Sequence, residues 1–383
     1  MTVLLAGGGT GGHVFPLVAV ADALAQLVPR ERIVFVGTRR GIETRVVPDR
    51  GYSLELIDVL PLRGGGMMDM VKGVWRAAQC VPRAADLLRR YRPWAVFSVG
   101  GYAAGPLAVA ARMRGIPLAL LEPNAVVGLA NALTAPLVDR AYTAFEEAEA
   151  VFPPSRVRRL GVPLREGFVR SPYAVSDAEQ VVLVLGGSQG AKSLNEGVPG
   201  ALAAVGRTLR VVHQCGPTHQ AATRERYEAL GLGPAAQVVP FIDDMPAALA
   251  AADLVVSRAG ASAVSEICAV GRPSLLIPYP FAAGDHQRRN AEALQKAGAA
   301  VCVPALEAST TVLSSHFDRL LGDPTRLGSM AEAAANLGRS RAADAIARDL
   351  LQLGGQVLVG SGQGPVGVLT ERGGSAERDQ ECG

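Results

Sequence analysis

Two glycine-rich turns, about half a chain apart, constrain the fold of this sequence more than any other feature. The first turn spans residues 7–13 after the apolar residues 3–6, and the second spans residues 186–191 after the apolar residues 181–185. Backbone N–H groups in such turns approach an anion closely, and a following helix adds the positive end of its dipole. The sequence therefore predicts two phosphate-binding turns, one in each half, that bring two ligands together at one cleft.

Short apolar strands alternate with helical stretches along most of the 383 residues. This alternation is typical of parallel sheets covered by helices on both faces, whose ligands bind beyond the carboxyl ends of the strands. A Gly-Val-Pro segment at 161–163 predicts a boundary between a domain at 1–162 and a second at 163–352. The glycine-rich, polar residues 353–383 are expected to be disordered. The predicted strands are 2–6, 33–36, 95–99, 118–121, 181–185, 210–213, 237–239, 254–257 and 274–277. The predicted helices are 17–28, 68–79, 82–91, 103–113, 125–134, 192–204, 246–251, 262–270 and 287–297.

The composition excludes several classes of protein. With 49% hydrophobic and 19% charged residues the chain reads as globular, and a net charge of +3 is too weak to indicate nucleic-acid binding. No apolar run reaches the roughly 20 residues of a transmembrane helix, and no secretory signal is expected at the N-terminus. Five scattered cysteines without a C-x-x-C motif fit reduced thiols in a cytoplasm.

The first turn also satisfies the dinucleotide fingerprint G-x-G-x-x-G through Gly7, Gly9 and Gly12. A nicotinamide site normally has an acidic residue at the end of the second strand to hold the ribose, but residues 37–40 read Gly-Thr-Arg-Arg. Those arginines would suit the 2′-phosphate of NADP, so an NADP enzyme is kept as an alternative.

Three polar residues lie where the predicted sheets end. His13 closes the first turn, where it is either a base or phosphate contact or a histidine bonded to neighbouring backbone. Asn124, between a strand and a helix, is either a cleft residue or a plain N-cap. Glu266 either binds ribose hydroxyls or only offsets a helix dipole. The chain has no D-x-D motif, which counts against a carboxylate-held metal.

Residues 67–76 form a candidate membrane patch. Met67, Met70, Val71, Val74 and Trp75 can share one helical face, with several arginines nearby in the sequence. Such a face either packs in a core or docks on anionic lipid.

Seven segments of the sequence, in order, resemble the MurG family of peripheral membrane glycosyltransferases. They are residues 8–16 (GGTGGHVFP), 100–106 (GGYAAGP), 121–125 (LEPNA), 186–191 (GGSQGA), 241–245 (FIDDM), 258–266 (RAGASAVSE) and 285–287 (DHQ). The resemblance runs from residue 1 to about 350. It implies a GT-B fold, in which two Rossmann-like domains face each other across a cleft.

The resemblance also implies a function. It predicts an inverting transfer of N-acetylglucosamine from UDP-N-acetylglucosamine to the C4 hydroxyl of undecaprenyl-pyrophosphoryl-N-acetylmuramyl-pentapeptide, during peptidoglycan synthesis. It implies no cofactor and no metal, and a peripheral location on the cytoplasmic face of the cell membrane. The expected partners are the two substrates, an anionic membrane surface and other cell-wall synthesis proteins.

Carried over position by position, the resemblance implies one base and two sets of binding residues. His13 is the predicted base, with binding of the acceptor diphosphate as its alternative role. The predicted acceptor-binding residues are Gly9, His13 and Tyr102. The predicted donor-binding residues are Thr10, Gly11, Gly12, Asn124, Arg165, Ser188, Ile242, Ala261, Ser262, Ala263, Val264, Ser265, Glu266 and Gln287.

The sequence departs from the family pattern at three places. Pro123 stands where the family often has Gln, and Val162 stands where it has Asn. His286 precedes Gln287 where some members have two glutamines, so the sugar contact falls on either of the two. A UDP-sugar epimerase or hydrolase, and a non-catalytic membrane-associated scaffold, remain alternatives to the transferase.

Overall fold

The structure is a computed structural model, and it describes residues 2–39, 41–57, 79–101, 104–175, 179–358 and 368–370. Its strands are β1 (Val3–Ala6), β2 (Ile33–Gly37), β3 (Ser53–Leu56), β4 (Ala95–Ser98), β5 (Leu118–Glu122), β6 (Arg140–Thr143), β7 (Val157–Arg159), β8 (Gln180–Leu185), β9 (Leu209–Gln214), β10 (Ala236–Val239), β11 (Leu254–Ser257), β12 (Ser274–Leu276), β13 (Ala300–Cys302), β14 (Gln356–Leu358) and β15 (Val368–Thr370). Its α-helices are α1 (Gly11–Ala25), α2 (Glu43–Asp49), α3 (Val81–Tyr91), α4 (Ala104–Met113), α5 (Leu129–Thr134), α6 (Lys192–Ala203), α7 (Gln220–Ala229), α8 (Met245–Ala250), α9 (Ala261–Val270), α10 (His286–Lys296), α11 (Thr310–Leu321), α12 (Pro324–Leu337) and α13 (Ala342–Leu353).

Two parallel sheets organise the chain. The first has the order β3-β2-β1-β4-β5-β6-β7, and the second has the order β10-β9-β8-β11-β12-β13. In each sheet the chain starts at an inner strand, adds strands on one side and then crosses to the other side. Strands β1, β4, β8 and β11 are buried along their whole described length or nearly so, as expected for sheets covered by helices.

The last long helix returns to the first sheet. Ile346, Ala347, Leu350 and Leu351 of α13 belong to the apolar core beneath β1 and α1, and the Tyr142 hydroxyl donates a hydrogen bond of 2.7 Å to the Asp349 carboxylate. The boundary between residues 162 and 163 stays a prediction, but part of the predicted second domain packs on the first sheet. The chain therefore crosses between the two lobes twice.

Most predicted elements lie within a residue or two of those observed, and two helices differ more. The first was predicted at 17–28, but α1 already begins at Gly11, so the glycine turn itself leads into the helix. The helix predicted at 125–134 begins only at Leu129.

The helix predicted at 68–79 and the membrane patch at 67–76 lie outside the described residues, except that residue 79 is described as helical. Most of the 353–383 tail is also outside them, and β14 and β15 of that segment form an antiparallel pair.

Candidate active site

The strand orders locate two ligand sites. In the first sheet, β1 lies between β2 and β4, and in the second sheet β8 lies between β9 and β11. These are the switch points at which open parallel sheets bind ligands, just beyond the carboxyl ends of the strands. The two glycine turns follow β1 and β8, so both lie at switch points.

The first glycine turn leads from β1 directly into α1. Gly9 has a φ of 92°, which favours glycine, and the extended Thr10 is the N-cap residue of the helix. Gly11 and Gly12 therefore occupy the first helical turn, whose N–H groups have no intrahelical partner. These two glycines offer backbone donors at the positive end of α1, whereas the Gly9 N–H is donated to the Glu43 carboxylate at 2.9 Å.

His13 lies at this turn and faces the cleft. Its Nδ1 is 3.4 Å from the Gly8 carbonyl oxygen, and because a carbonyl only accepts, this contact assigns the proton to Nδ1 and leaves Nε2 as the acceptor. Burial lowers the pKa of His13, against opposing effects of the Gly8 hydrogen bond and of the nearby Glu122 and Glu43 charges. The charge of His286, from the second lobe, also lowers this pKa, so the two histidines lie near enough to interact electrostatically. A neutral imidazole with a free Nε2 can accept a proton at neutral pH.

The loop after β4 packs on the first turn. Gly100 and Gly101 have φ values of 83° and 85°, and a methyl group at Gly101 would lie 3.1 Å from the Gly8 carbonyl oxygen. Two glycine loops thus meet beside His13. The predicted acceptor residue Tyr102 lies outside the described residues.

A buried carboxylate organises the loop after β5. Glu122 is 1% exposed and accepts hydrogen bonds from the N–H groups of Asn124 and Gly128, both at 3.0 Å, and from the Asn131 amide at 2.9 Å. Gly128 is the N-cap residue of α5, so Asn124 is not a plain N-cap. Its side chain instead reaches the other lobe.

Asn290 of α10 joins the two lobes at this loop. It is completely buried, and its Oδ1 accepts a hydrogen bond of 2.8 Å from the Ala125 N–H. Its Nδ2 donates to the Asn124 Oδ1 at 3.2 Å and to the Ala259 carbonyl at 3.0 Å. The Asn290 side chain, three residues beyond Gln287, therefore links the first lobe to the loop after β11.

The second glycine turn and helix α9 form the other side of the cleft. Gly187 and Gly190 have φ values of 76° and 80°, and the exposed Ser188 lies between them. Ala261, Ser262 and Ala263 form the first turn of α9. The Ser262 hydroxyl is buried without a hydrogen-bond partner among the described residues, which is uncommon in folded proteins. An oxyanion at this positive helix end would supply that partner.

Glu266 lies one turn further along α9, on the same face as Ser262. It is half-buried, and burial raises the pKa of its carboxyl to about 7, while the charge of Arg165 opposes that rise. Arg165, just after the predicted lobe boundary, is therefore close to Glu266. The guanidinium of Arg165 also lies 5.8 Å from the centre of the Phe168 ring.

Two further predicted donor residues already have hydrogen-bond partners. The Ile242 N–H donates to the Gln214 side chain at 3.1 Å, so uracil recognition through that N–H requires Gln214 to turn away. The Gln287 Oε1 accepts from the Tyr279 N–H at 2.9 Å and thereby shapes the loop before α10. Asp285, at the start of that helix, has a φ of 56°, a strained conformation of the kind found at functional sites.

Two further predicted donor residues on α9, Val264 and Ser265, line a cavity of about 300 Å³ between the lobes, together with residues of the segments 144–147 and 293–297. The Val264 N–H is already donated to the Gly260 carbonyl at 3.0 Å. Among the residues that the structure describes, no three His, Cys, Asp or Glu side chains group as they would around a metal ion.

Three residues of this site, Glu43, Glu122 and Asn290, were not among the predicted site residues. Glu122 stands inside a quoted motif, and its position at the end of a predicted strand is the signal that could have identified it. Asn290 shares a helix with Gln287, but its partners lie more than 160 residues away in the sequence. Glu43 follows β2 by six residues and lies just beyond residues 37–40, which contain no carboxylate.

Two family models match the chain. The N-terminal domain of glycosyltransferase family 28 matches residues 3–143, and the C-terminal domain of the same family matches residues 181–348. Together they span both sheets and both glycine turns. This assignment favours a sugar nucleotide over the NADP alternative.

Individual relatives agree with the family models. The chain is 53% identical to the UDP-N-acetylglucosamine--N-acetylmuramyl-(pentapeptide) pyrophosphoryl-undecaprenol N-acetylglucosamine transferase of Sorangium cellulosum over 92% of this chain and 88% of that protein. It is 42% identical to the protein of the same name from Myxococcus xanthus, over 91% of each.

A solved structure shows the same fold. The crystal structure of Acinetobacter baumannii MurG has a TM-score of 0.77 and 31% sequence identity, covering 92% of this chain and 99% of that chain. The predicted GT-B fold of two Rossmann-like parallel-sheet domains is thereby confirmed. The chain is a glycosyltransferase of family 28 and belongs, within it, to the MurG family.

Proposed function

We propose that this chain transfers N-acetylglucosamine from UDP-N-acetylglucosamine to the C4 hydroxyl of a lipid-linked N-acetylmuramyl-pentapeptide, converting lipid I to lipid II. The observation that carries the proposal is the Asn290 contact, because it brings the donor-side helix α10 against the Asn124 loop of the other lobe. The relatives named above carry this activity in their names.

The donor occupies the second lobe in this proposal. Glu266 holds the ribose hydroxyls, and the Ser262 hydroxyl with the first turn of α9 holds the diphosphate. Gln287, with His286 as the neighbouring candidate, holds the sugar. As the bond to the sugar breaks, the departing UDP gains negative charge, which a preorganised helix end and its N–H groups stabilise.

The acceptor occupies the first lobe. Its C4 hydroxyl attacks the anomeric carbon from the face opposite the departing UDP, so the configuration inverts. The attacking hydroxyl loses a proton to Nε2 of His13, since Nδ1 is turned toward the Gly8 carbonyl. Thr10, Gly11 and Gly12, which the family resemblance assigns to the donor, border the same space from the start of α1.

Mass spectrometry tests the proposed reaction. We expect labelled UDP-N-acetylglucosamine and a short-chain lipid I analogue to give UDP and an acceptor heavier by one N-acetylhexosamine. Free sugar or an isomerised UDP-sugar, formed without the acceptor, would instead indicate a hydrolase or an epimerase. Absence of any conversion despite UDP binding would favour the scaffold alternative.

Because the proposed acceptor is a lipid, we propose that the reaction takes place at a membrane, on its cytoplasmic face, and that the first lobe binds an anionic surface there. None of the helices in the described parts of the chain is long and apolar enough to cross a bilayer.

Val109 and Met113 are 37% and 76% exposed and lie one turn apart on α4. Arg112 and Arg114 flank Met113, and an apolar strip beside cations suits an anionic lipid surface.

Charge on this strip should weaken membrane binding. We expect Val109→Glu with Met113→Glu to reduce co-sedimentation with phosphatidylglycerol vesicles severalfold, since two carboxylates would face like charges. The matched control is Leu306→Glu on the second lobe, where Leu306 is 94% exposed. Equal binding by both proteins, with unchanged circular dichroism, would remove α4 from the docking surface.

A further inference from the structure

The buried carboxylate of Glu43 lies directly beneath the first glycine turn. Glu43 opens helix α2 and is 1% exposed. Its Oε2 accepts a hydrogen bond of 2.9 Å from the Gly9 N–H, 34 residues earlier in the chain. Its Oε1 accepts from the N–H and the hydroxyl of Thr38, each at 2.9 Å. A buried carboxylate is costly unless such bonds satisfy it, so the site is built around it.

Three glycines make room for this side chain. A methyl group at Gly8, Gly37 or Gly41 would overlap atoms of Glu43. These glycines come from the first turn, from the end of β2 and from the loop before α2. The turn, the neighbouring strand end and the helix therefore close around one carboxylate, and none of the three glycines tolerates a larger residue without moving it.

The bond to Gly9 determines which N–H groups of the turn face the cleft. Because the Gly9 N–H points inward to Glu43, it is not available to a ligand in this conformation. The φ of 92° at Gly9 then turns the chain, so Gly11 and Gly12 present the first donors of α1. The Glu43 charge also favours the protonated form of His13, four residues beyond Gly9, and so increases its basicity.

We propose that Glu43 is a positioning residue that holds the first glycine turn in the shape required to bind the acceptor and to present His13. The proposal rests on the proposed function, in which this turn belongs to the acceptor side. Glu43 itself touches no substrate, because its two oxygens are occupied beneath the turn. Its effect should therefore appear mainly in acceptor use, and in donor binding only through Thr10, Gly11 and Gly12, which the family resemblance assigns to the donor.

The test compares Glu43→Gln with the wild-type full-length protein. The glutamine NH₂ would face a backbone or hydroxyl donor, which breaks at least one bond and shifts the turn. We expect kcat/KM for the lipid I analogue to fall about 10- to 100-fold, as small displacements near reacting groups do. The dissociation constant of UDP-N-acetylglucosamine, measured by calorimetry, should rise by a clearly smaller factor, because most of the predicted donor contacts lie in the other lobe.

Two further variants keep the test decisive. Glu31→Gln changes an exposed carboxylate of the same lobe and should leave both constants unchanged. Thr38→Val removes only the hydroxyl bond to Glu43 and should lower acceptor kcat/KM in the same direction by a smaller factor, even if Glu43→Gln folds poorly.

The outcomes separate the two proposals. Unchanged acceptor kinetics in Glu43→Gln, or parallel losses in acceptor use and donor affinity in both variants, would overturn the positioning role. Failure of the wild-type protein to glycosylate the lipid I analogue would instead overturn the proposed function. In that case the turn held by Glu43 would serve to bind a different ligand.

Discussion

His13→Ala should lower kcat by about 100- to 10,000-fold, the range that a positioned general base contributes. His13 lies in the first turn of α1 beside two glycine loops, and its Nδ1 contact with Gly8 leaves Nε2 as the proton acceptor. The measurement is initial velocity with the donor and the lipid I analogue both saturating. Saturation removes binding effects, so the loss reports on the chemical step.

The pH profile separates the base from the diphosphate-ligand alternative. A base must be neutral, and burial lowers the pKa of His13, so wild-type kcat should fall only below about pH 6.5. In His13→Ala this acid limb should vanish. A diphosphate ligand would instead leave kcat largely intact and raise KM for the acceptor. His316→Ala, on helix α11 of the second lobe, is the matched control.

Local sequence patterns predicted the parts of the site that depend on neighbouring residues. An apolar run followed by glycines specifies a strand and a turn, and both turns lie at the switch points as expected. The start of α1 was placed six residues late, because glycines are poor helix formers and concealed its first turn. The helix predicted at 125–134 begins only at Leu129, because Glu122 accepts hydrogen bonds from N–H groups of the preceding loop.

Contacts between segments that are distant in the sequence could not be predicted from such local patterns. Glu43 was overlooked because its role depends on Gly9, 34 residues away in the sequence. Asn290 and α13 could not be predicted for the same reason. Both lie late in the sequence, yet they contact residues of the first lobe. The roles of the predicted site residues stay predictions, and the most informative of them after His13 is Glu266.

Glu266→Ala should weaken UDP-N-acetylglucosamine binding by about 10- to 100-fold, because a charged acceptor of hydrogen bonds contributes about 1.5–3 kcal/mol. The expectation rests on the position of Glu266 one turn beyond the unpartnered Ser262 hydroxyl, with Arg165 nearby. Acceptor KM should change little. Calorimetry measures the loss, and Glu225→Gln, an exposed position on α7, is the control. Unchanged donor affinity would exclude the ribose role.

The pH dependence of donor binding provides a sharper test of the same residue. Burial raises the pKa of Glu266 to about 7 in the free protein, so the carboxylate that accepts two ribose hydroxyls is present above pH 7 and protonated below it. Between pH 8 and pH 6 the dissociation constant should rise about tenfold, in step with the lost ionised fraction. UDP-N-acetylglucosamine suits this measurement, because its diphosphate diester does not titrate in that range. In Glu266→Gln the curve should become flat, and a slope that persists in that variant would assign the titration to another group.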